Sequence, residues 1–370
     1  MSPNRPSTVG SSTPNSPEHQ NFFASTVHGL EHLAAVELAV LGCRVVSIRK
    51  RQVLLTAPEP CMVGRPRTID DLLLQVARTA DPGPTKADLE RLRPLLDAAD
   101  LRQAKSDFDH GDPVLAVSAS MIGRRTYNRH DLEDVIGSVL AERLGARFAS
   151  RNGGNRPPAG AAEWRAVLSP EGLLLGYRGR RSPLHRRVWK TASISGSLHP
   201  PVAAAMARLA GIDAGMTVLD PCCGAGTILI EAKEFTPRAD FIGSDLNSDA
   251  LAAAAHNAQH LADIAFAKSD AAELPMPTGS IDRIVTNPAW GRQVAMVQRF
   301  PALLAAWRRI IAADGRLVCL VPPELLCHFE AERSAWNLVD RHQLSLSGQH
   351  PVIVIAEPKR SRKRRDRGLE

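Results

Sequence analysis

The chain has 370 residues, a formal net charge of +7, and 44% hydrophobic but only 4% aromatic residues. No run of about 18 uncharged apolar residues occurs, which excludes a membrane-spanning helix, and the Ser/Pro/Asn-rich start lacks the charged-then-apolar pattern of a secretory signal. Six scattered cysteines, two of them adjacent, make neither a disulfide framework nor a zinc site, so a reduced, cytoplasmic, metal-free protein is expected.

This length accommodates two or three domains, each with its own core. Residues 1–20 are low-complexity Ser, Pro, Asn and Thr, and disorder is expected there. Order begins with a strand at 22–26. Val27-His28-Gly29 makes a turn, and Leu30, Leu33, Ala34, Val36, Glu37 and Leu38 then recur at helical spacing until Gly42. Residues 45–48 and 52–56 read as strands, and 69–80 as a second helical run. A polar, Pro-containing stretch around 81–100 separates these from an apolar strand at 113–118. An amphipathic helix is expected at 132–144. Residues 166–168 and 173–176 read as a hairpin around Ser169-Pro170-Glu171-Gly172.

Much of the basic excess is concentrated in two stripes. Arg178, Arg180, Arg181, Arg186, Arg187 and Lys190 fall in one segment without an acidic residue, and residues 359–367 hold seven basic residues against one acidic. Such stripes suit local phosphate contacts. A linker braced between domains loses less ordering entropy on binding than a free tail, so the first stripe is the better candidate.

From 218 onward strands and helices alternate. Strands are expected at 218–219, 241–244, 264–267, 281–286 and 317–321, and helices at 228–235, 249–261 and 294–312. A βαβ series of this kind predicts a parallel sheet with right-handed crossovers. Residues 344–347 and 352–356 read as a closing hairpin around Gly348-Gln349-His350-Pro351.

The chemistry-bearing stretch is Asp220-Pro221-Cys222-Cys223-Gly224-Ala225-Gly226-Thr227. An apolar run ends in Asp-Pro, passes through Gly-x-Gly and enters a helix. The glycines allow positive φ and close approach of a ligand, while the helix aims free N–H groups and a partial positive charge at the turn. The stretch lacks the third glycine of a dinucleotide fingerprint and the Gly-Lys-Ser/Thr ending of a phosphate loop. Asp245 ends the next strand about 20 residues on, the spacing of a ribose-binding carboxylate. Asp270 follows the strand after that, and Asn287-Pro288-Ala289-Trp290 follows the fourth. Cys222 and Cys223 read as small packing residues rather than nucleophiles.

Together these residues resemble the S-adenosylmethionine-dependent methyltransferases that act on exocyclic amines. The resemblance implies that the loop with Asp220, Cys222, Gly224, Gly226 and Thr227 holds the methionine part of S-adenosylmethionine. It implies that Asp245, beside Leu246, holds the ribose and that Asp270, beside Ala271, faces the adenine amine. Asn287, which also borders the cofactor, and Pro288 would accept from the target nitrogen, with Trp290 stacking on the base. Ala289 departs from the family's second proline, which should loosen this loop.

The N-terminal pattern Phe-x-Ala-x-Thr-x-x-Gly-Leu-Glu-x-Leu-x-x-x-Glu-Leu, from Phe22 to Leu38, resembles the start of THUMP-containing RNA-modifying enzymes. Residues 114–144 with Gly123-Arg124-Arg125-Thr126-Tyr127 resemble the THUMP core. Leu184-His185-Arg186-Arg187 and Ser197-Leu198-His199-Pro200-Pro201 resemble the linker and first helix of THUMP methyltransferases. The implied architecture is α/β, a C-terminal Rossmann-like methyltransferase sheet preceded by an α+β ferredoxin-like/THUMP module. Its parts are 21–80 (ferredoxin-like), 81–178 (THUMP), 179–200 (basic linker), 201–358 (methyltransferase) and 359–370 (basic disordered tail). The implied activity is methylation of a guanosine N2 amine in tRNA by a monomer. Because Asn-Pro-x-aromatic serves adenine N6 and cytosine N4 as well, two alternatives stand beside it. One is an rRNA guanine or adenine amine methyltransferase. The other is an RNA-binding homologue weakened at Ala289.

Overall fold

The computed structural model describes residues 19–58, 65–105, 108, 113–179, 181–288, 294–346 and 348–359. The disorder expected of 1–20 is corrected at His19 and Gln20, which pair with Pro58 and Ala57 in the first strand; residues 1–18, the tail beyond Lys359, Arg180, Ala289 and Trp290 lie outside the described residues. Among the described residues no helix is long and apolar enough to cross a membrane.

The N-terminal half runs β1 (His19–Ser25), α1 (Glu31–Val40), β2 (Arg44–Arg49), β3 (Gln52–Pro58), β4 (Asp71–Thr79), α2 (Leu92–Asp97), α3 (Arg102–Lys105), β5 (Val114–Met121), α4 (Arg129–Leu144), β6 (Arg147–Phe148), β7 (Ala162–Ser169) and β8 (Gly172–Gly179). Its described strands form one eight-stranded sheet in the order β2-β3-β1-β4-β8-β7-β5-β6. The clearest local signal belongs to α4. Asn128 accepts from the N–H groups of His130 and Asp131, Asp131 accepts in return from Asn128, and Gly145 closes the helix in the left-handed region.

Residues 69–80 correct the helical expectation. They contain β4, paired with β1 on one side and β8 on the other. Leu72 and Leu73 are both buried, in separate clusters on opposite faces. A strand covered on both faces reads as a continuous apolar run, which periodicity alone does not separate from a helix. The polar stretch at 81–100 also contains more order than expected. Leu89, Leu92 and Leu96 recur at helical spacing and are buried against α4.

The C-terminal half runs α5 (Pro200–Ala210), β9 (Thr217–Asp220), α6 (Thr227–Phe235), β10 (Asp240–Asp245), α7 (Ser248–Ala258), β11 (Ile264–Lys268), β12 (Ile281–Thr286), α8 (Val294–Ile310), β13 (Ile311–Val321), α9 (Leu326–Ala331), β14 (Trp336–Gln343) and β15 (Val352–Pro358). The sheet order is β11-β10-β9-β12-β13-β15-β14. The first five strands are parallel, and β15 enters antiparallel to β13. Successive side chains point to opposite faces of a strand, and the core follows that rule. Val218, Val285, Val318 and Ile353 pack with α5 and α6, while Leu219, Ile284, Leu317 and Val352 pack with Phe300, Leu304 and Trp307 of α8. The strand order reverses between β9 and β12. In open α/β sheets the carboxyl ends of strands at such a reversal border the ligand crevice.

The closing hairpin differs from expectation in its first strand, which is β14 rather than 344–347. Most of β14 is exposed, as befits the edge of a sheet, so no apolar alternation marks it. Leu346 instead bridges Gln349, and Ser345 bridges His28 of the N-terminal half.

The two halves share a core and a set of buried charges. Val27 and Leu30 belong to the same apolar cluster as α5 and α6. A Cβ on Gly29 (φ +100) would stand 2.1 Å from the Gln343 carbonyl oxygen, so only glycine permits this approach. Glu231, fully buried on α6, accepts from Arg67 Nε at 2.6 Å and Arg187 Nε at 2.7 Å. Glu37 of α1 accepts from the N–H groups of Arg67 and Thr68 and from Arg208 of α5. Buried carboxylates and guanidiniums must be paired to avoid a large desolvation cost, so these groups hold the halves in one orientation.

Candidate active site

The glycine turn leaves β9 at the reversal point. Gly224 (φ +54) and Gly226 (φ +77) both lie in the left-handed region, and Gly226 caps α6. The Gly226 N–H donates to Cys223 O at 2.8 Å, and Cys223 N–H donates to Ser244 O at 2.9 Å, tying the turn to β10. A Cβ on Gly224 would meet only Ile194 Cδ1 at 3.5 Å, so the glycine leaves a cradle that a side chain would fill.

Asp220 is buried beneath this turn. Its Oδ1 accepts from Thr286 Oγ1 at 2.7 Å and from Cys222 N–H at 3.1 Å. Burial raises its carboxyl to about 7, against the lowering effect of those two donors. Thr286 is the last residue of β12, so the bond fixes the root of the Asn287-Pro288 loop to the glycine turn. The sequence reading missed Thr286, although a lone hydroxyl ending the apolar run Ile284-Val285 was its signal. Burial also pushes the Cys222 and Cys223 thiols up, which leaves no reactive thiolate at either position.

Asp245 ends β10 half-exposed. Its Oδ2 accepts from Gly224 N–H at 2.9 Å and its Oδ1 from Asn247 N–H at 2.9 Å. These bonds hold the carboxylate rigid and leave it lone pairs for a ligand. Leu246 beside it is 51% exposed and lines the cleft described below. Asp270 accepts from Ala272 N–H at 2.9 Å and from Arg299 Nη2 at 2.6 and 2.7 Å. The Ala272 N–H and then Arg299 hold its carboxyl below the usual range, despite some burial. Trp307 anchors the adjacent Ala271 by donating to its carbonyl at 3.2 Å.

Two clefts meet at Asn287. The first, about 390 Å³, is lined by Asp220, Cys222, Gly224, Thr227, Asp245, Leu246, Asp270, Ala271 and Asn287, with Arg299 and Leu303 of α8. The second, about 1070 Å³, lies between the halves and includes Arg51, Asp70, His185, Arg186, Arg187, Lys190, Asn287 and Pro288. Ser195, Gly196, Ser197 and Leu198 line both and form the wall between them. Asn257 pins the chain leading to that wall. Its amide accepts from the N–H groups of Thr191 and Ala192 and donates to the carbonyls of Ala192 and Ala225. Of the wall, only Ser197 and Leu198 are marked in the sequence, by their resemblance to a linker, and nothing marks Ser195, Gly196 or Asn257.

The basic stripe divides into engaged and available cations. Arg178 pairs with Asp71 at 2.6 Å, and Arg187 donates to Glu231, Arg67 O and Leu184 O. Arg181 is exposed and donates to Arg178 O. Lys190 is half-buried, donates to Leu198 O at 2.5 Å, and is lowered by burial to about 8. Arg186 is exposed and has no carboxylate partner among the described residues. Among the described residues no group of side chains could hold a metal ion.

The donor set fits S-adenosylmethionine. It offers a half-exposed carboxylate at a strand end for a ribose diol, an exposed leucine for a ring face and a side-chain-free glycine cradle. The family described as UPF0020, RMKL-like, methyltransferase domain matches residues 187–351. A tRNA (guanine(6)-N2)-methyltransferase of Thermus thermophilus is 34% identical over 249 residues, 65% of this chain and 71% of that protein. The crystal structure of TrmN from Thermus thermophilus superposes with a TM-score of 0.75 at 27% identity, over 92% of this chain and 100% of that one. A mouse U6 snRNA (guanine-N(2))-methyltransferase is 30% identical over 258 residues, 68% of this chain but 46% of that protein. The chain thus spans less than half the length of that relative.

Fold and site together define a methyltransferase domain of the S-adenosylmethionine-dependent class. Asp220, Asp245, Asp270 and Asn287 stand at or just past the carboxyl ends of strands that follow one another in the chain. The chain belongs to the same methyltransferase family as the Thermus enzyme, and its residues 187–351 match the RMKL-like methyltransferase domain.

Proposed function

We propose that this protein methylates the N2 amine of a guanosine in tRNA. The observation that carries the reading is the position of Asn287. It borders both the cofactor-sized cleft and the larger, basic cleft between the halves. A base arriving through the second cleft would therefore meet the first at Asn287, beside the wall formed by 195–198. The Thermus relative, of which this chain spans 71%, supports tRNA and guanine N2 over the alternatives.

When bound, S-adenosylmethionine supplies the electrophilic methyl carbon. The glycine turn would hold its methionine part, Asp245 and Leu246 its ribose and adenine face, and Asp270 with Ala271 the adenine edge. A guanine N2 amine is a weak nucleophile, because its lone pair is delocalised into the ring. The Asn287 side-chain oxygen and the Pro288 carbonyl would accept its two N–H bonds and turn the lone pair out of the ring plane. Proline brings no N–H of its own to compete for that carbonyl. No strong base is needed, because the nitrogen becomes acidic once methylated and its proton can pass to water. Trp290 would stack on the extruded base.

The N-terminal half would act as the ferredoxin-like (21–80) and THUMP (81–178) module that grips the RNA. The 179–200 linker would lie along its phosphates, and the enzyme would work as a cytoplasmic monomer. Asn287→Ala tests the reading. Turnover on tRNA should fall at least about 100-fold, the scale of losing one oriented polar group, with cofactor affinity changed less than about 3-fold. A variant with unaltered turnover removes Asn287 from the chemistry.

A further inference from the structure

The second cleft carries a cation that the basic stripe does not include. Arg51 comes from the N-terminal half, in the turn that joins β2 to β3, yet it lines the same cleft as Asn287 and Pro288. Its backbone is held at φ +63, a conformation that glycine or asparagine adopts with less strain. Besides Arg51, only Asp263 among the described non-glycine residues has a positive φ. The geometry is enforced by neighbours. The Arg51 N–H donates to Glu31 Oε1 at 2.8 Å, and its carbonyl accepts from Thr26 N–H at 3.0 Å. Strain maintained in this way at the mouth of a site points to a use for the side chain.

That side chain remains available. Arg51 Nη2 donates to the Ser345 hydroxyl at 3.2 Å, and no carboxylate lies within ion-pair distance among the described residues. The contrast with its neighbours is sharp. Arg187 and Arg67 are committed to Glu231, and the one carboxylate lining the cleft, Asp70, is 2.6 Å from His199 Nε2. Arg51 and Arg186 therefore line the cleft from both halves with no carboxylate within ion-pair distance among the described residues, and Lys190, which donates to Leu198 O and feels Glu231, adds a third positive charge beside them.

We propose that Arg51, with Arg186 and Lys190, forms a phosphate site in this cleft for the backbone flanking the nucleotide whose base reaches Asn287. The proposal rests on the reading of the protein as an RNA methyltransferase and adds the N-terminal turn as a positioning element. The guanidinium would register the RNA against the catalytic loop, as phosphate contacts generally do, without contributing to base choice.

Arg51→Gly is the informative variant, because it removes the charge and also relieves the backbone. The probe is total tRNA, bound by the full chain over a range of salt concentrations. Affinity should fall roughly 5- to 10-fold, and the slope of log affinity against log salt should shrink by about 0.7 to 0.9, one phosphate contact. The melting temperature should hold or rise, cofactor affinity should be unaltered, and Arg51→Lys should recover part of the slope. Wild-type affinity and slope in Arg51→Gly would overturn the proposal, as would a loss of affinity accompanied by a fallen melting temperature. Wild-type protein that binds tRNA with this Arg51 dependence but transfers no methyl group would refute the methyltransferase reading and leave the phosphate site standing. Failure of the wild type to bind tRNA would refute both.

Discussion

Asp220 lines the cofactor-sized cleft, and one of its carboxyl oxygens also ties the site together. It accepts from Thr286 and Cys222 and so couples the glycine turn to the strand bearing Asn287. Its raised carboxyl, about 7 against an ordinary 3.8, has a consequence for stability. Between those values the unfolded chain releases the proton first, so folding loses stability as pH rises from about 4 to 7 and no further above. Asn at this position keeps an acceptor for both donors and cannot ionise. Asp220→Asn should match the wild type in urea unfolding near pH 3 and exceed it at pH 8 by on the order of 4 kcal/mol. A difference independent of pH would contradict the account. Asp270 shows a second limit of reading residues singly. The strand-end carboxylate is evident in the sequence, but its ion-pair partner Arg299 lies on α8, 29 residues later, and nothing local announces it.

The glycine turn and its helix were legible as an element because their signals are local: an apolar run, two glycines and a periodic segment. The wall formed by 195–198 was not, because its position depends on Asn257, a residue of α7 that makes four bonds to backbone atoms on two other segments. Asn257→Ala should loosen that wall and leave several buried backbone groups without partners. Cofactor affinity, read by calorimetry, should drop roughly 10-fold or more, since each orphaned buried group costs about 1–3 kcal/mol. Unchanged affinity would show that the wall does not shape the cofactor cleft. The same contrast explains β4 and β14. The first is buried on both faces and mimics a helix, the second lies on an edge and mimics a loop, and in both cases the decisive partner is distant in sequence.

Across the whole molecule, the succession of strands and helices after 218 was readable because each βαβ unit carries its own pattern. The way the halves lock together was not, because it depends on charge pairs between residues 164 and 171 positions apart. Glu231 is the centre of that lock. Glu231→Ala would leave Arg67 and Arg187 without their buried partner and should destabilise the protein by about 3–5 kcal/mol. The two neighbouring linker arginines should then behave differently. Arg187→Glu should lower the melting temperature, whereas Arg186→Glu should leave it near normal and weaken tRNA binding with a smaller salt slope. Equal effects at the two positions would contradict the division between structural and available cations. The central claim is most directly tested by incubating the purified full chain with total tRNA and methyl-labelled S-adenosylmethionine and identifying the labelled nucleoside by mass spectrometry. The account predicts label in N2-methylguanosine, lost with Asn287→Ala. Label in a methylated adenosine or cytidine, or none in any tRNA nucleoside, would contradict it.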